Sequence, residues 1–419
     1  MRFISGWRLA VWPAVVLALA ACGGGSDAPK RQPVGHVYTQ TNESSNKIIH
    51  YGRLADGTLR EVERVASGGQ GTNGFKPATG EASAPDSLFS AGSVAMSADH
   101  RLLFAVNAGD SSVSSFAVAE NGALTLLDRQ LTGERAPPSS VTYNNATQTL
   151  FVLHTTGPDH IRSFKVANGK LANTGAAYTV NTAQVDGRVA TQIISSPDDR
   201  FVLVDVVFDA PPQPGANGPV LTPSNAQAGN GLMVFPVQPD GSLGQVVVND
   251  AGGPTPFSLA FLRGSSTRFV NTFAAANGAV LSTLGADGRV RNTPLSDVDL
   301  SPAPNGPAET CWVSLSPDNR YAYGTNFGFG NITSFELTDS SIRVAADNQG
   351  AVAGDGLFKS LAGIPTSGAN DSWASADGYL YQLYPNAREL AAYRMNGPLL
   401  EKVGSSAVPY NSTSGLVGF

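Results

Sequence analysis

This 419-residue chain predicts an all-β fold, a seven-bladed β-propeller with four antiparallel strands per blade. Three observations carry the prediction. An Asx-Gly turn between apolar strands recurs along the chain, a second and more polar turn lies upstream of it in each unit, and helical periodicity is nowhere sustained.

The Asx-Gly turns are Asp56-Gly57, Asn121-Gly122, Asn168-Gly169, Asp240-Gly241, Asp287-Gly288 and Asn396-Gly397, with Asp339-Ser340 as the odd member. Such pairs favour tight hairpins because both central residues tolerate positive φ, which matches strand twist. A large apolar residue precedes each turn: Tyr51, Phe116, Phe164, Phe235, Leu284, Phe335 and Tyr393. Further upstream an apolar strand, a polar turn and another apolar strand follow one another, as in Val94–Phe104 and Val313–Tyr323. Ser196-Pro197-Asp198-Asp199-Arg200 repeats that turn. Each unit thus supplies four strands, A to D. Seven such units bury both faces of every sheet only if they stack radially into a ring. The first unit, from Gly35, lacks an A strand, and Ser414–Phe419 reads as an orphan one. The C-terminal strand is therefore expected to complete the first blade and close the ring.

Composition bounds the rest. Hydrophobic residues make up 42%, enough for a sizeable core, and charged residues only 14%, which excludes coiled coils and long solvated helices. The net charge of −6 argues against nucleic-acid binding, because a phosphate backbone needs a basic surface. Residues 1–21 read as an export signal: Arg2 and Arg8 precede the apolar stretch Leu9–Ala21, which is too short to span a bilayer. Leu19-Ala20-Ala21-Cys22 looks like a bacterial lipobox, so Cys22 is the expected lipidation site, followed by a flexible tether over 22–34 and the propeller over 35–419. The expectation is a lipid-anchored protein of the cell envelope of a Gram-negative bacterium, held at the outer membrane. A plain signal peptide with an incidental cysteine is the alternative. Cys311, the one other cysteine, reads as a small buried core residue.

The run Ser316-Pro317-Asp318-Asn319-Arg320, then Tyr321-Ala322-Tyr323, Thr325-Asn326 and Ile332-Thr333-Ser334-Phe335-Glu336-Leu337, resembles the seven-bladed lactonase-type propellers. These are the relatives of 6-phosphogluconolactonase and of the carboxymuconate lactonising enzymes. The resemblance spans residues 35–419 and implies hydrolysis of a sugar or organic-acid lactone, with His, Arg and acidic side chains around one mouth of the channel. Where such proteins carry Gly-Pro-Arg-His before an A strand, this chain has Gly253-Pro254-Thr255-Pro256-Phe257. The WD40 signatures are absent.

In a propeller the D-to-A and B-to-C loops share one face, and the long loops 67–93, 208–231 and 347–370 fall there. His154, closing a B strand, is the candidate general base, with Glu309 as the alternative. A histidine that merely caps a turn is the plainer reading, since Asn107 and Asn326 occupy the equivalent strand ends. Arg135 and Arg188 are candidates to hold a substrate carboxylate or phosphate in bidentate fashion, Trp312 to stack on a sugar-like ring, and Asn107 and Asn326 to contribute to substrate binding. Solvated loop arginines and a core tryptophan are the alternatives. His36 and His160 sit at strand starts, His50 reads as a half-exposed sheet residue, and His100 lies in an A-to-B turn on the opposite face. Gly69-Gln70-Gly71-Thr72-Asn73-Gly74 spells a dinucleotide fingerprint, but no helix follows it. No metal cluster and no cofactor are implied. The expected partners are the membrane, through the lipid anchor, and either a small lactone or an envelope protein or glycan bound by a non-catalytic propeller through its loop-rich face.

Overall fold

In four of the blades the polar turn between strands A and B adopts one conformation. In the computed structural model, Ser97, Ser196, Ser316 and Ser375 each donate from Oγ to the Asp two residues on, at 2.6–2.7 Å. The same hydroxyl accepts the N–H of Leu102, Phe201, Tyr321 or Tyr379, which opens strand B. Between them His100, Asp199, Asn319 and Gly378 take positive φ, a conformation Asn, Asp, His and Gly tolerate.

The structure describes residues 1, 32–213, 215, 220–224, 231–298, 308–360 and 363–419. The expected export signal, the Cys22 acylation site and most of the tether lie outside the described residues. Pro33–Phe419 forms one unit of seven antiparallel sheets arranged as a propeller. Blade 1 comprises Gly35–Gln40, Lys47–Arg53 and Leu59–Ala66, with Ser414–Gly418 as its innermost strand. The A strands of blades 2 to 7 are Val94–Met96, Pro138–Asn144, Val189–Ser195, Pro256–Phe261, Thr310–Leu315 and Ser372–Ala374. Each is followed in sequence by its B, C and D strands.

The C-terminal strand closes the ring as expected. Val37 pairs with Gly418, Tyr38 with Val417 and Thr39 with Leu416. His36 and Phe419 exchange two further backbone hydrogen bonds of 2.8 and 3.0 Å.

The Asx-Gly turns differ from expectation in detail. Only Asn168-Gly169 has both residues at positive φ. At Gly57, Gly122, Gly241 and Gly288 the glycine alone does, and its N–H bonds back to the carbonyl three residues earlier. The Asx side chain supplies the missing constraint: Asp56, Asn121, Asp240 and Asp287 each accept the N–H two residues on. The positively twisted glycine leaves its carbonyl facing the preceding blade. Tyr38 Oη donates to Gly122 O, Ser115 Oγ to Gly169 O, Asn249 Nδ2 to Gly288 O, Tyr323 Oη to Gly397 O and Tyr381 Oη to Gly57 O, at 2.5–3.0 Å. Five of the seven blade junctions are tied this way. Tyr51, Phe116, Phe164, Phe235, Leu284, Phe335 and Tyr393 are all buried on the C strands between blades.

Two expectations about loops are corrected. Residues 208–231 are not wholly loop: the B strand of blade 4 runs on to Gln213, and Val220–Pro223 pairs back onto it. His50 is fully buried rather than half-exposed, with its Nε2 2.8 Å from His36 Nδ1.

Removing residues 409–419 strips blade 1 of its inner strand. The truncated protein is expected to melt well below the full chain, and equal melting temperatures in a calorimeter would rule out closure by this strand. Tyr381→Phe removes one buried hydrogen bond across the blade 7–blade 1 junction and is expected to cost about 1 kcal/mol in urea unfolding.

Candidate functional site at the loop-bearing mouth of the channel

Segment 67–93, between strand D of blade 1 and strand A of blade 2, is almost devoid of charge. Its exceptions are Lys76, Glu81 and Asp86, five residues apart. The chain folds so that these meet. Lys76 Nζ lies 2.7 Å from Asp86 Oδ2 and 3.8 Å from Glu81 Oε2. Lys76 and Asp86 are both buried, and the ammonium sits 4.6 Å from the Phe89 ring centroid. A backbone hydrogen bond from the Lys76 N–H to the Glu81 carbonyl closes the loop around the pair.

Aromatic rings cluster beside the pair. Phe89 stacks on Phe208 and meets Phe257 edge-on, both with centroids 5.7 Å apart. Phe257 packs against Trp312, and Trp312 against Phe327. Buried Cys311 belongs to the same cluster. Glu309 is buried beside it, at φ 54°, with its backbone N–H on Asn277 Oδ1. Its charge acts on both Lys76 and the Cys311 thiol.

The charges perturb one another. Burial works against the Lys76 charge, but Asp86 and Glu81 outweigh it and hold the ammonium above the ordinary lysine range. Burial pushes the Asp86 carboxyl up to about 6, with Lys76 pulling the other way. Asp86 is therefore a carboxylate at neutral pH that takes a proton in the range where general bases operate. A cavity of about 100 Å³ opens beside the loop, lined by Pro77, Ala78, Ser87, Leu88, Pro138 and Thr155 among others. It is flanked by the chain neighbours of Lys76 and Asp86 on one side and by blade 3 on the other.

The residues singled out from sequence are distributed as follows. Arg135 is exposed, two positions before the cavity-lining Pro137. His154 precedes the lining residue Thr155 but is itself wholly buried: Nε2 is 3.0 Å from Thr132 Oγ1 and Nδ1 3.2 Å from the His160 carbonyl. Burial lowers its pKa to about 4, so it is neutral at pH 7. Glu309 and Trp312 are deeper in the channel, where Trp312 Nε1 donates to Ser90 O. Arg188 is fully buried against Asp209, with Nε 3.3 Å from Oδ1, and donates to Val180 O. Asn107 is saturated by Asn46, Ser67, Ser112 and Ser114, and Asn326 by Thr310, Asn331 and Thr333. These two amides and the His154 ring occupy matching strand ends and lock their blades. Glu309 and Trp312 thus lie against the loop, Arg135 stands two residues before the cavity lining, and Arg188, Asn107 and Asn326 belong to the frame. Sequence reasoning missed Lys76 and Asp86, although three charges in an otherwise uncharged segment with Phe75 and Phe89 were a visible signal. Among the described residues no group of three or more His, Cys, Asp or Glu side chains could hold a metal ion.

A seven-bladed ring with its loops gathered at one mouth is a fold shared with known proteins. Residues 31–206 match the family model described as "Lactonase, 7-bladed beta-propeller". Among solved structures the chain is similar to the periplasmic gluconolactonase of Pseudomonas aeruginosa, with 16% identity and a TM-score of 0.65 over 92% of this chain and 98% of that one. It is also similar to a candidate 6-phosphogluconolactonase of Bacteroides fragilis, with 14% identity and a TM-score of 0.63 over 92% and 98%. A third, from Bacteroides uniformis and described in the same way, shares 15% identity and a TM-score of 0.64 over 92% and 99%. At these identities the likeness is one of fold. No curated protein sequence matches.

Lys76→Met leaves Asp86 in the mouth without its buried partner and is expected to destabilise the protein by roughly 3–5 kcal/mol, whereas Lys76→Met combined with Asp86→Leu recovers most of that loss. Chemical unfolding of the two variants checks this, and equal losses would show that the pair is not coupled.

Proposed function

We propose that this protein hydrolyses a sugar or organic-acid lactone at the loop-bearing mouth. The observation that carries the reading is the buried Lys76–Asp86 pair, with the carboxyl raised to about 6 beside a small cavity on a lactonase-like propeller. Asp86 takes a proton from a water that adds to the lactone carbonyl. The Lys76 ammonium stabilises the resulting oxyanion. The ring C–O bond then breaks, and the ring oxygen leaves as a hydroxyl by accepting that proton from Asp86. Arg135, at the cavity rim, holds a carboxylate or phosphate of the substrate. His154, neutral and tied to Thr132, positions the blade-3 wall, and Glu309 tunes the field from below.

The buried ring cluster and three exposed apolar side chains, Phe75, Val220 and Leu357, favour a second reading. In it the loop face binds an envelope protein or glycan without chemistry. We also propose that the chain is exported, acylated at Cys22 and anchored in the outer membrane, on the strength of Leu19-Ala20-Ala21-Cys22.

With a panel of aldonolactones the full chain is expected to release acid, and Asp86→Asn to lose at least 100-fold of that rate. Because Asp86 works as its ionised form, the rate is expected to climb as pH rises through about 6 and then level off. No turnover by wild type, with specific capture of envelope material through the loop face, would favour the second reading instead. Labelled palmitate is expected on the wild-type chain and not on Cys22→Ala; equal labelling would remove the anchor.

A further inference from the structure

The other end of the channel has a different character. There a cavity of about 620 Å³ is lined by residues from blades 1, 2, 5, 6 and 7. Its apolar walls are rings: Phe261, partly exposed Trp373, and Phe419, on which exposed His100 stacks at 4.8 Å. Trp373 is itself held by stacking on Tyr381 at 5.8 Å, so its orientation is set before any ligand arrives. Ser314 and Ser372 Oγ lie 2.8 Å apart and satisfy one another.

Two guanidinium groups face this space, and they differ. Arg53 is buried and neutralised, its Nη1 donating to both oxygens of Asp377 at 2.7 and 2.6 Å. Arg263 is held at the rim by a single bond from Nη2 to the Ala374 carbonyl. Among the described residues it has no carboxylate partner, and burial of its charge lowers its pKa. The cavity lining includes no Asp or Glu. A fixed guanidinium fork over an aromatic floor, with few free hydroxyl groups, is complementary to a flat apolar acid.

We infer that the mouth opposite the long loops is a second binding site, one that takes an aromatic carboxylate, with Arg263 on the carboxylate and Trp373 and Phe261 on the ring. The site is on the other face from the Lys76–Asp86 centre, and its existence is independent of lactone hydrolysis.

Benzoate is the probe, titrated into the full chain and followed by ligand-observed NMR, with gluconate as the hydroxylated comparison. Benzoate is expected to bind with a Kd on the order of 1 mM, and gluconate at least tenfold more weakly. Arg263→Ala is expected to weaken benzoate tenfold or more, Arg263→Lys to restore part of that loss, and Trp373→Leu to weaken it several-fold. Arg135→Ala, at the other mouth, is expected to leave benzoate affinity unchanged. Equal binding by wild type and Arg263→Ala, equal affinity for gluconate, or no binding of benzoate to wild type would each overturn the site.

Discussion

A ring of seven sheets is stable only when it is complete, and in this protein completion rests on one strand pairing. Ser414–Gly418 lies against Gly35–Gln40 and provides the first blade with the inner strand that its own sequence lacks. Every blade then has a neighbour on both sides. The buried C-strand residues from Tyr51 to Tyr393 pack between blades, not within one, so each contributes its burial only in the closed ring. The hydroxyl and amide bonds to the C-to-D glycine carbonyls add direction to that packing. They fix how far each blade turns against the next, and so where its loops emerge.

That frame leaves the loop-bearing mouth open in principle, and segment 67–93 fills it. The segment is anchored by an ammonium and a carboxylate 2.7 Å apart in an apolar setting, where unpaired charge is costly. The arrangement couples two properties. The ion pair that holds the segment in place also carries a carboxyl of shifted pKa, next in sequence to Ser87 of the cavity lining.

Much of the fold was legible in the sequence because its signals are local and repeated. Ser-x-Asp before a residue tolerant of positive φ specifies the A-to-B turn wherever it occurs, and Asx-Gly specifies the C-to-D turn. Ring closure was legible because a missing strand at one end matched a spare one at the other. The site was less so. His154, Asn107 and Asn326 carry polar groups whose partners come from other strands and loops, and no spacing in the sequence reveals that those groups are already satisfied. Arg188 looked like a loop residue, yet it packs under the extended strand of blade 4, whose continuation past Phe208 the Pro- and Gly-rich sequence concealed. Lys76 and Asp86 were missed for the opposite reason: their charges stand out in an otherwise uncharged segment, but only folding shows that they meet.

The two mouths end up chemically distinct, one closed over opposite charges and the other open, with rings and the Arg263 guanidinium, which has no carboxylate partner among the described residues. The central claim is that the Lys76–Asp86 pair is where a lactone meets the protein. A crystal structure of the full chain with a sugar lactam, which cannot be hydrolysed, tests it most directly. The account predicts ligand density in the cavity beside Thr155, with the lactam carbonyl within 3.5 Å of Lys76 Nζ and Asp86 within hydrogen-bond reach. Density confined to another surface, with Lys76 and Asp86 still locked together beneath an empty cavity, would contradict it.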